Sequence, residues 1–243
     1  MVITSLNNEH IKELNKLKEK KYRDQKGEFL IEGEHLVLEA IKKDLVKELI
    51  ILEGEDFYSE NIKITYVSKE VMKKLSSMDS YPKVIGVSNK NKEENIKGNT
   101  LILEDIQDPG NLGTIIRSAV AFNIDTIILS PKTVDLYNSK VIRSTQGMLF
   151  NINIIVRNIC DVIEELKNKE YTILGTKVDN GKDVRDIYIK GKYALVIGNE
   201  GQGMSSKVSS LCDEYLYIKM NTNVESLNAA VASSILMYEL GNK

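Results

Sequence analysis

Apolar positions along the chain fall into two different rhythms, separated at 89–99 by a stretch that is polar and nearly free of apolar residues. Before that gap the pattern predicts a helix at 8–21 and a short strand at 29–31. A helix at 34–43 follows, carrying Leu36, Val37, Ala40 and Ile41. Strands at 49–52 and 64–67, a short helix at 69–75 and a strand at 84–87 complete the first part. Beyond the gap, apolar runs at 101–103, 126–129, 153–156, 171–174, 193–197 and 215–218 alternate with helical patterns at 112–122, 162–169 and 225–240. Apolar runs that alternate with helices imply a mostly parallel sheet covered on both faces. In the last pattern Leu227, Ala230, Val231, Ser234, Ile235 and Tyr238 share one side, which predicts a helix buried along that stripe. The expected layout is two domains, 1–97 and 98–243, both of α/β class, with the polar gap as linker.

Composition narrows the chemistry. The 243 residues have an ordinary apolar content, and no apolar run reaches membrane-spanning length. No signal peptide is expected, and Cys160 and Cys212, two isolated thiols without metal-ligand spacing, suit a reducing cytoplasm. His10 and His35 are the two histidines of the chain and lie far from its glycine-rich segments, which argues against a zinc site and against histidine catalysis. The formal net charge of −2 argues against tight electrostatic binding to nucleic acid. Its distribution softens that: from Lys12 to Lys26 seven basic residues stand against three acids. Such a run is either a solvated helix face or a phosphate-contacting arm, with Lys12, Lys16, Lys20 and Arg23 as the candidate contacts. A second basic segment holds Lys140 and Arg143.

Three further segments could carry chemistry. In 105–118 a strand ends in an acidic turn containing Pro109 and Gly110; Asn111 stands where a helix cap could stand, and Arg117 follows on the helix. Arg117 either pairs with a neighbouring acid or holds a phosphate. In 197–204, Gly198, Gly201 and Gly203 surround one carboxylate, Glu200, and let backbone N–H groups approach a ligand. The spacing is neither that of a P-loop nor that of a dinucleotide fingerprint, which disfavours a nucleotide-dependent oxidoreductase. Ser226 and Asn228 open the final helix, and an amide among apolar and small residues there needs a partner.

In this order and spacing, Asn111…Arg117, Gly198-x-Glu200-x-x-Gly203 and Ile218-x-Met220…Ser226-Leu227-Asn228 resemble the three motifs of the SpoU (TrmH) family of RNA ribose 2′-O-methyltransferases. The resemblance covers 99–243, including the basic segment 140–147. The first part is similar to that family's ribosomal-protein-like RNA-binding domain. The resemblance implies a trefoil knot in the parallel-sheet domain, S-adenosylmethionine bound in the knot loops, and a cytoplasmic homodimer with its site at the subunit interface. It implies cofactor binding by Thr176, Gly198, Gly203, Ile218, Met220 and Leu227, and catalysis by Asn111, Arg117, Glu200, Ser226 and Asn228, without a metal. The substrate it implies is RNA, with ribosomal RNA ahead of transfer RNA; a non-catalytic RNA-binding or assembly factor of the same fold is the alternative. Lys219 and Thr222 depart from the family's usual proline and glycine, which bears on the shape of the cofactor loop.

Overall fold

The computed structural model describes residues 2–57, 59, 61–179 and 181–241, and the chain divides into two compact units. The first comprises Met1–Lys92 together with Asp135–Phe150; the second comprises Glu93–Val134 and Asn151–Lys243. The segment Asp135–Phe150, which the sequence pattern groups with 98–243, therefore packs with the first unit.

In chain order the first unit contains β1 (Val2–Ile3), α1 (Glu9–Lys16), α2 (Lys20–Lys26), β2 (Glu28–Glu32), α3 (Glu34–Ile41), β3 (Val46–Leu52), β4 (Lys63–Val67), α4 (Lys69–Leu75) and β5 (Val84–Asn89). The strands form a mixed sheet in the order β1-β4-β3-β5-β2. On one face α1 and α4 bury Ile11, Leu14, Val71, Met72 and Leu75 against Ile50 and Ile85. On the other, α3 supplies Leu36, Val37 and Ala40. Gly86 keeps that face closed: a Cβ there would stand 2.8 Å from Ile31 Cγ1 and 3.3 Å from Val37 Cγ2.

The helix expected at 8–21 is two helices. No glycine or proline marks the break. It is held by Arg23, which lies buried on α2 and donates through Nη1 to the carbonyls of Leu17 (2.8 Å) and Lys18 (2.7 Å).

The second unit contains β6 (Thr100–Leu103), α5 (Pro109–Ala121) and β7 (Thr126–Leu129). After α6 (Ser139–Ser144), which belongs to the first unit, come β8 (Asn153–Val156), α7 (Ile159–Asn168), β9 (Thr172–Thr176), β10 (Lys182–Asp183), β11 (Tyr193–Ile197), α8 (Ser206–Ser209), β12 (Glu214–Tyr217) and α9 (Ala229–Gly241). All strands of this sheet pair in parallel, in the order β10-β12-β9-β11-β6-β7-β8. Alternate residues of a strand point to opposite faces. Ile102, Ile128 and Val196 accordingly pack with Ile159, Val162, Ile163 and Leu166 of α7. Leu101, Leu103, Ile127 and Leu195 are buried on the other face.

The strand order fixes where a ligand goes. The chain runs outward from β6 to β7 and β8, returns to the opposite side for β9, and then inserts β11 between β9 and β6. That reversal opens a crevice at the carboxyl ends of β6, β9 and β11, the usual ligand position in an open parallel sheet.

The final helix departs from expectation. Its buried residues are Ala230, Ser233, Leu236, Met237 and Leu240, whereas Val231 is 48% and Tyr238 54% exposed. Apolar residues occur on all sides of the helix, and its buried face mixes small Ala230 and Ser233 with Leu236, Met237 and Leu240, so a hydrophobicity pattern does not single it out. It packs beside α5, where Ser234 Oγ donates to Ser118 Oγ at 2.8 Å and the Tyr238 and Phe122 rings meet edge to face, 5.6 Å apart.

Candidate active site

At the carboxyl end of β11 the chain enters a closed loop. Asn199 N–H donates to the Gly203 carbonyl (3.0 Å), and Gly203 N–H returns to the Asn199 carbonyl (2.9 Å). Asn199 fastens the loop a second time. Its Oδ1 accepts from the N–H groups of Gly201 (2.9 Å) and Gln202 (3.1 Å), while its Nδ2 donates to the Asp105 carbonyl at 2.8 Å. Gly198 is required by close approach: a Cβ there would lie 2.2 Å from Gly203 C and Met204 N. Gly203 is required by conformation, with φ at +68°. Asn199 fastens the loop that lines the cavity and was not singled out in the sequence, although an amide in a glycine-rich segment was a usable sign of a self-bonded turn.

A cavity of about 500 Å³ opens beside this loop, and Thr176, Gly198, Gly203, Ile218, Met220 and Leu227 all line it. Glu200 and Ser226 also reach its wall. Thr176 Oγ1 donates to the Val196 carbonyl at 3.0 Å, tying the end of β9 to β11. The opening is thus lined by the backbone of Gly198, Gly201 and Gly203 together with the apolar residues Met204, Leu216 and Leu236. That mixture suits a small ligand with one polar and one apolar half.

Next to the cavity, three amide and carboxylate side chains form a relay. Asn228 Nδ2 donates to Asn111 Oδ1 at 2.9 Å, and Asn111 Nδ2 donates to Glu200 Oε1 at 3.2 Å. Glu200 further accepts from the N–H groups of Gln107 and Asp108, both at 3.2 Å. Burial alone would raise the Glu200 carboxyl, but these donors and its own N–H outweigh it and hold it below the ordinary carboxylate range. Glu200 is therefore ionised at neutral pH and oriented by four donors.

Two helix starts position the relay. Asp108, not Asn111, caps α5: its Oδ1 accepts from Asn111 N–H at 2.7 Å, with Pro109 in the first turn. Proline in the first helical turn is the sign that should have placed the cap one residue before it. This frees the Asn111 side chain. Asn228 sits just before α9 rather than within it, and its Oδ1 caps the helix by accepting from Ala230 N–H (2.9 Å) and Val231 N–H (3.3 Å). Each half of the Asn228 amide is satisfied, one by the helix and one by Asn111.

Arg117 lies on the exposed stripe of α5 with Thr114 and Ala121. It is about 9 Å along the helix axis from Asn111 at the standard rise, and it makes no hydrogen bond or ion pair with any described residue. It is a free guanidinium. The structure brings together Asn111, Glu200 and Asn228, and leaves Arg117 and Ser226 outside their hydrogen-bonded network.

The basic candidates of the first unit separate into two groups. Lys12 pairs with Glu9 at 3.1 Å, Lys16 with Glu13 at 2.5 Å and Lys20 with Asp24 at 2.6 Å, all at partly or fully exposed positions. Arg23 is only 7% exposed and pairs with Asp135, which takes it off the surface and into the packing. Lys140 is exposed, and Arg143 Nη1 donates to Ser77 Oγ at 2.9 Å. Among the described residues, no cluster of histidine, cysteine or carboxylate side chains could hold a metal ion, and no helix is long and apolar enough to cross a membrane.

Comparison with known proteins bears on the whole chain. The SpoU rRNA methylase family matches residues 98–238, and an MRM3-like substrate-binding domain matches residues 8–86. A 23S rRNA (guanosine(2553)-2′-O)-methyltransferase of Bacillus subtilis is 35% identical over 98% of this chain and 98% of its own. An AdoMet-bound rRNA methyltransferase from Sinorhizobium meliloti superposes with a TM-score of 0.86 at 26% identity, covering 98% of this chain and 96% of that one. A putative RNA methyltransferase of the TrmH family from Porphyromonas gingivalis gives 0.87 at 27% identity, covering 97% and 98% of the two chains. With its glycine loop, its Asn111–Glu200–Asn228 relay and a family match over most of the second unit, this chain belongs to the SpoU rRNA methylase family.

Proposed function

We propose that the protein transfers a methyl group from S-adenosylmethionine to a ribose 2′-hydroxyl of ribosomal RNA. The observation that carries this reading is the glycine-loop cavity, set directly against an ionised carboxylate held by Asn111, which Asn228 orients in turn, in a member of this family. The cavity fits the cofactor, because one wall is a glycine loop whose Gly198 has no room for a Cβ and the rest mixes polar residues with apolar ones. In this reading Gly198, Gly203, Ile218 and Leu227 offer main-chain groups to the cofactor, Thr176 and Met220 close its sides, and Ser226 borders it. When bound, the cofactor supplies an electrophilic methyl group.

The remaining chemistry falls to the chain. A ribose hydroxyl is a weak nucleophile, and fixing it in line with its target supplies much of the acceleration, up to about 7–11 kcal/mol. The Asn111–Glu200–Asn228 relay is already ordered and needs no reorganisation when the substrate arrives. Arg117 is assigned to the RNA: its planar fork clamps the neighbouring phosphate and polarises the 2′-oxygen. It does not serve as base, because a guanidinium does not give up its proton in a protein.

The division of labour follows the two parts. Residues 1–97 would grip the RNA, with Lys12, Lys16 and Lys20 as exposed contacts, and 98–243 would carry out transfer; Lys140 and Arg143 extend the contact surface. A trefoil knot through the 198–203 and 218–228 loops, a cytoplasmic location and a homodimer complete the proposal. The exposed Val231 and Tyr238 on α9 support the homodimer, since a second copy would cover them and bring Arg117 into an interfacial site. Sedimentation at twice the chain mass would agree; a monomer at micromolar concentration would not.

The test of function is label transfer from S-adenosylmethionine to unmodified bacterial rRNA and to tRNA, run side by side. Label in rRNA is expected. Label confined to tRNA would overturn the choice of substrate, and cofactor binding without transfer to either would favour a non-catalytic assembly role.

A further inference from the structure

A second cavity, of about 380 Å³, shares its glycine-loop wall with the first and is otherwise lined by Glu104, Asp105, Gln107, Lys132 and Ser205. Apart from that shared loop, its lining residues are not ones assigned to the cofactor. One wall is the 105–108 turn, whose Gln107 and Asp108 N–H groups hold Glu200. A ligand here would therefore lie against the turn that holds Glu200.

Two charged residues of this cavity, Glu104 and Lys132, form no ion pair with any described residue. Glu104 accepts from Ser205 N–H at 2.9 Å through Oε2, and no described residue bonds its Oε1. Lys132 lines the same cavity, and its Nζ pairs with no described residue. An acid and a base thus line one cavity without forming an ion pair. Gln107 is fixed as part of the frame, its Nε2 donating to the carbonyls of Asp105 and Lys132, both at 2.9 Å.

We infer that this cavity reads the base of the nucleotide being methylated and that it selects guanine; the inference rests on the RNA methyltransferase reading above. A carboxylate only accepts hydrogen bonds, and an ammonium only donates them. Among the four RNA bases, guanine alone places two adjacent donors, N1–H and N2–H, beside an acceptor, O6. Glu104 meets the donors and Lys132 meets O6. Adenine would set its N1 lone pair against the Glu104 carboxylate, and uracil would set two carbonyls around its single donor. An unstacked base read along this edge is the common mode of RNA recognition.

The experiment uses the full chain, S-adenosylmethionine and an unmodified in vitro transcript of bacterial 23S rRNA, with nucleoside analysis of the product. The wild-type product is 2′-O-methylguanosine. Glu104→Gln lowers kcat/KM for RNA by about tenfold or more, and Lys132→Ala by about fivefold, the range for losing one base-edge contact. Cofactor affinity stays at the wild-type value in both. Should Glu104→Gln disturb the Ser205 turn and lose cofactor, Lys132→Ala decides, since that side chain is exposed and supports no described neighbour. A methylated nucleoside with another base, or wild-type kcat/KM in the deciding variant, overturns the base-reading role and leaves the methyltransferase reading intact. No transfer by the wild-type chain to any RNA overturns both.

Discussion

Replacing Arg117 with lysine is expected to cut methyl transfer about a hundredfold or more while S-adenosylmethionine binds as before. The magnitude is that of removing one preorganised donor from a developing negative charge. Arg117 is an exposed cation with no partner among the described residues, so its loss leaves no buried group unsatisfied and should not unfold the chain. Lysine keeps the charge but replaces a two-pronged planar donor with a single point, which cannot clamp a phosphate and address the neighbouring oxygen together. The loss should appear in kcat at saturating cofactor. Wild-type turnover for both Arg117→Lys and Arg117→Ala would remove this residue from the mechanism.

The second large effect is expected at Gly198. An alanine Cβ there would lie 2.2 Å from Gly203 C and Met204 N, and both are backbone atoms with no rotamer to move. The 199–203 loop must open, breaking the paired Asn199–Gly203 hydrogen bonds. Overpacking of this kind costs about 1–3 kcal/mol, and cofactor affinity should fall about tenfold to a hundredfold. Gly201→Ala is the comparison. Its Cβ would meet nothing nearer than Asn199 Oδ1, at an ordinary 3.7 Å, so the loss should be far smaller. Calorimetric titration of the cofactor separates the two, and equal affinities would refute the account of the loop.

The parallel sheet was legible because buried parallel strands are plain apolar runs. Leu101, Ile102 and Leu103, and again 193–197, could be read without knowing their neighbours. The relay was legible as residues but not as bonds. Asn111, Glu200 and Asn228 are 89 and 117 positions apart in their two hydrogen bonds, and only the fold joins them. Arg23 shows the same limit from the other side. In a run of lysines it looks like a surface cation, and the Asp135 that buries it lies 112 residues away. On α9 the apolar spacing of Val231 and Tyr238 competed with the equally periodic Ala230, Ser233, Met237 and Leu240. Pattern alone favoured the first side; the fold buries the second, while Ser234 and Tyr238 of the first meet Ser118 and Phe122 of α5.

That the methyl group goes to ribose rather than to a base is tested most directly by alkali. Strand cleavage by hydroxide uses the 2′-oxygen as nucleophile, so a 2′-O-methylated residue cannot be cut at its own phosphate. RNA labelled by this protein from S-adenosylmethionine should yield its label in alkali-stable dinucleotides. Label released in mononucleotides would place the methyl group on a base and contradict the account.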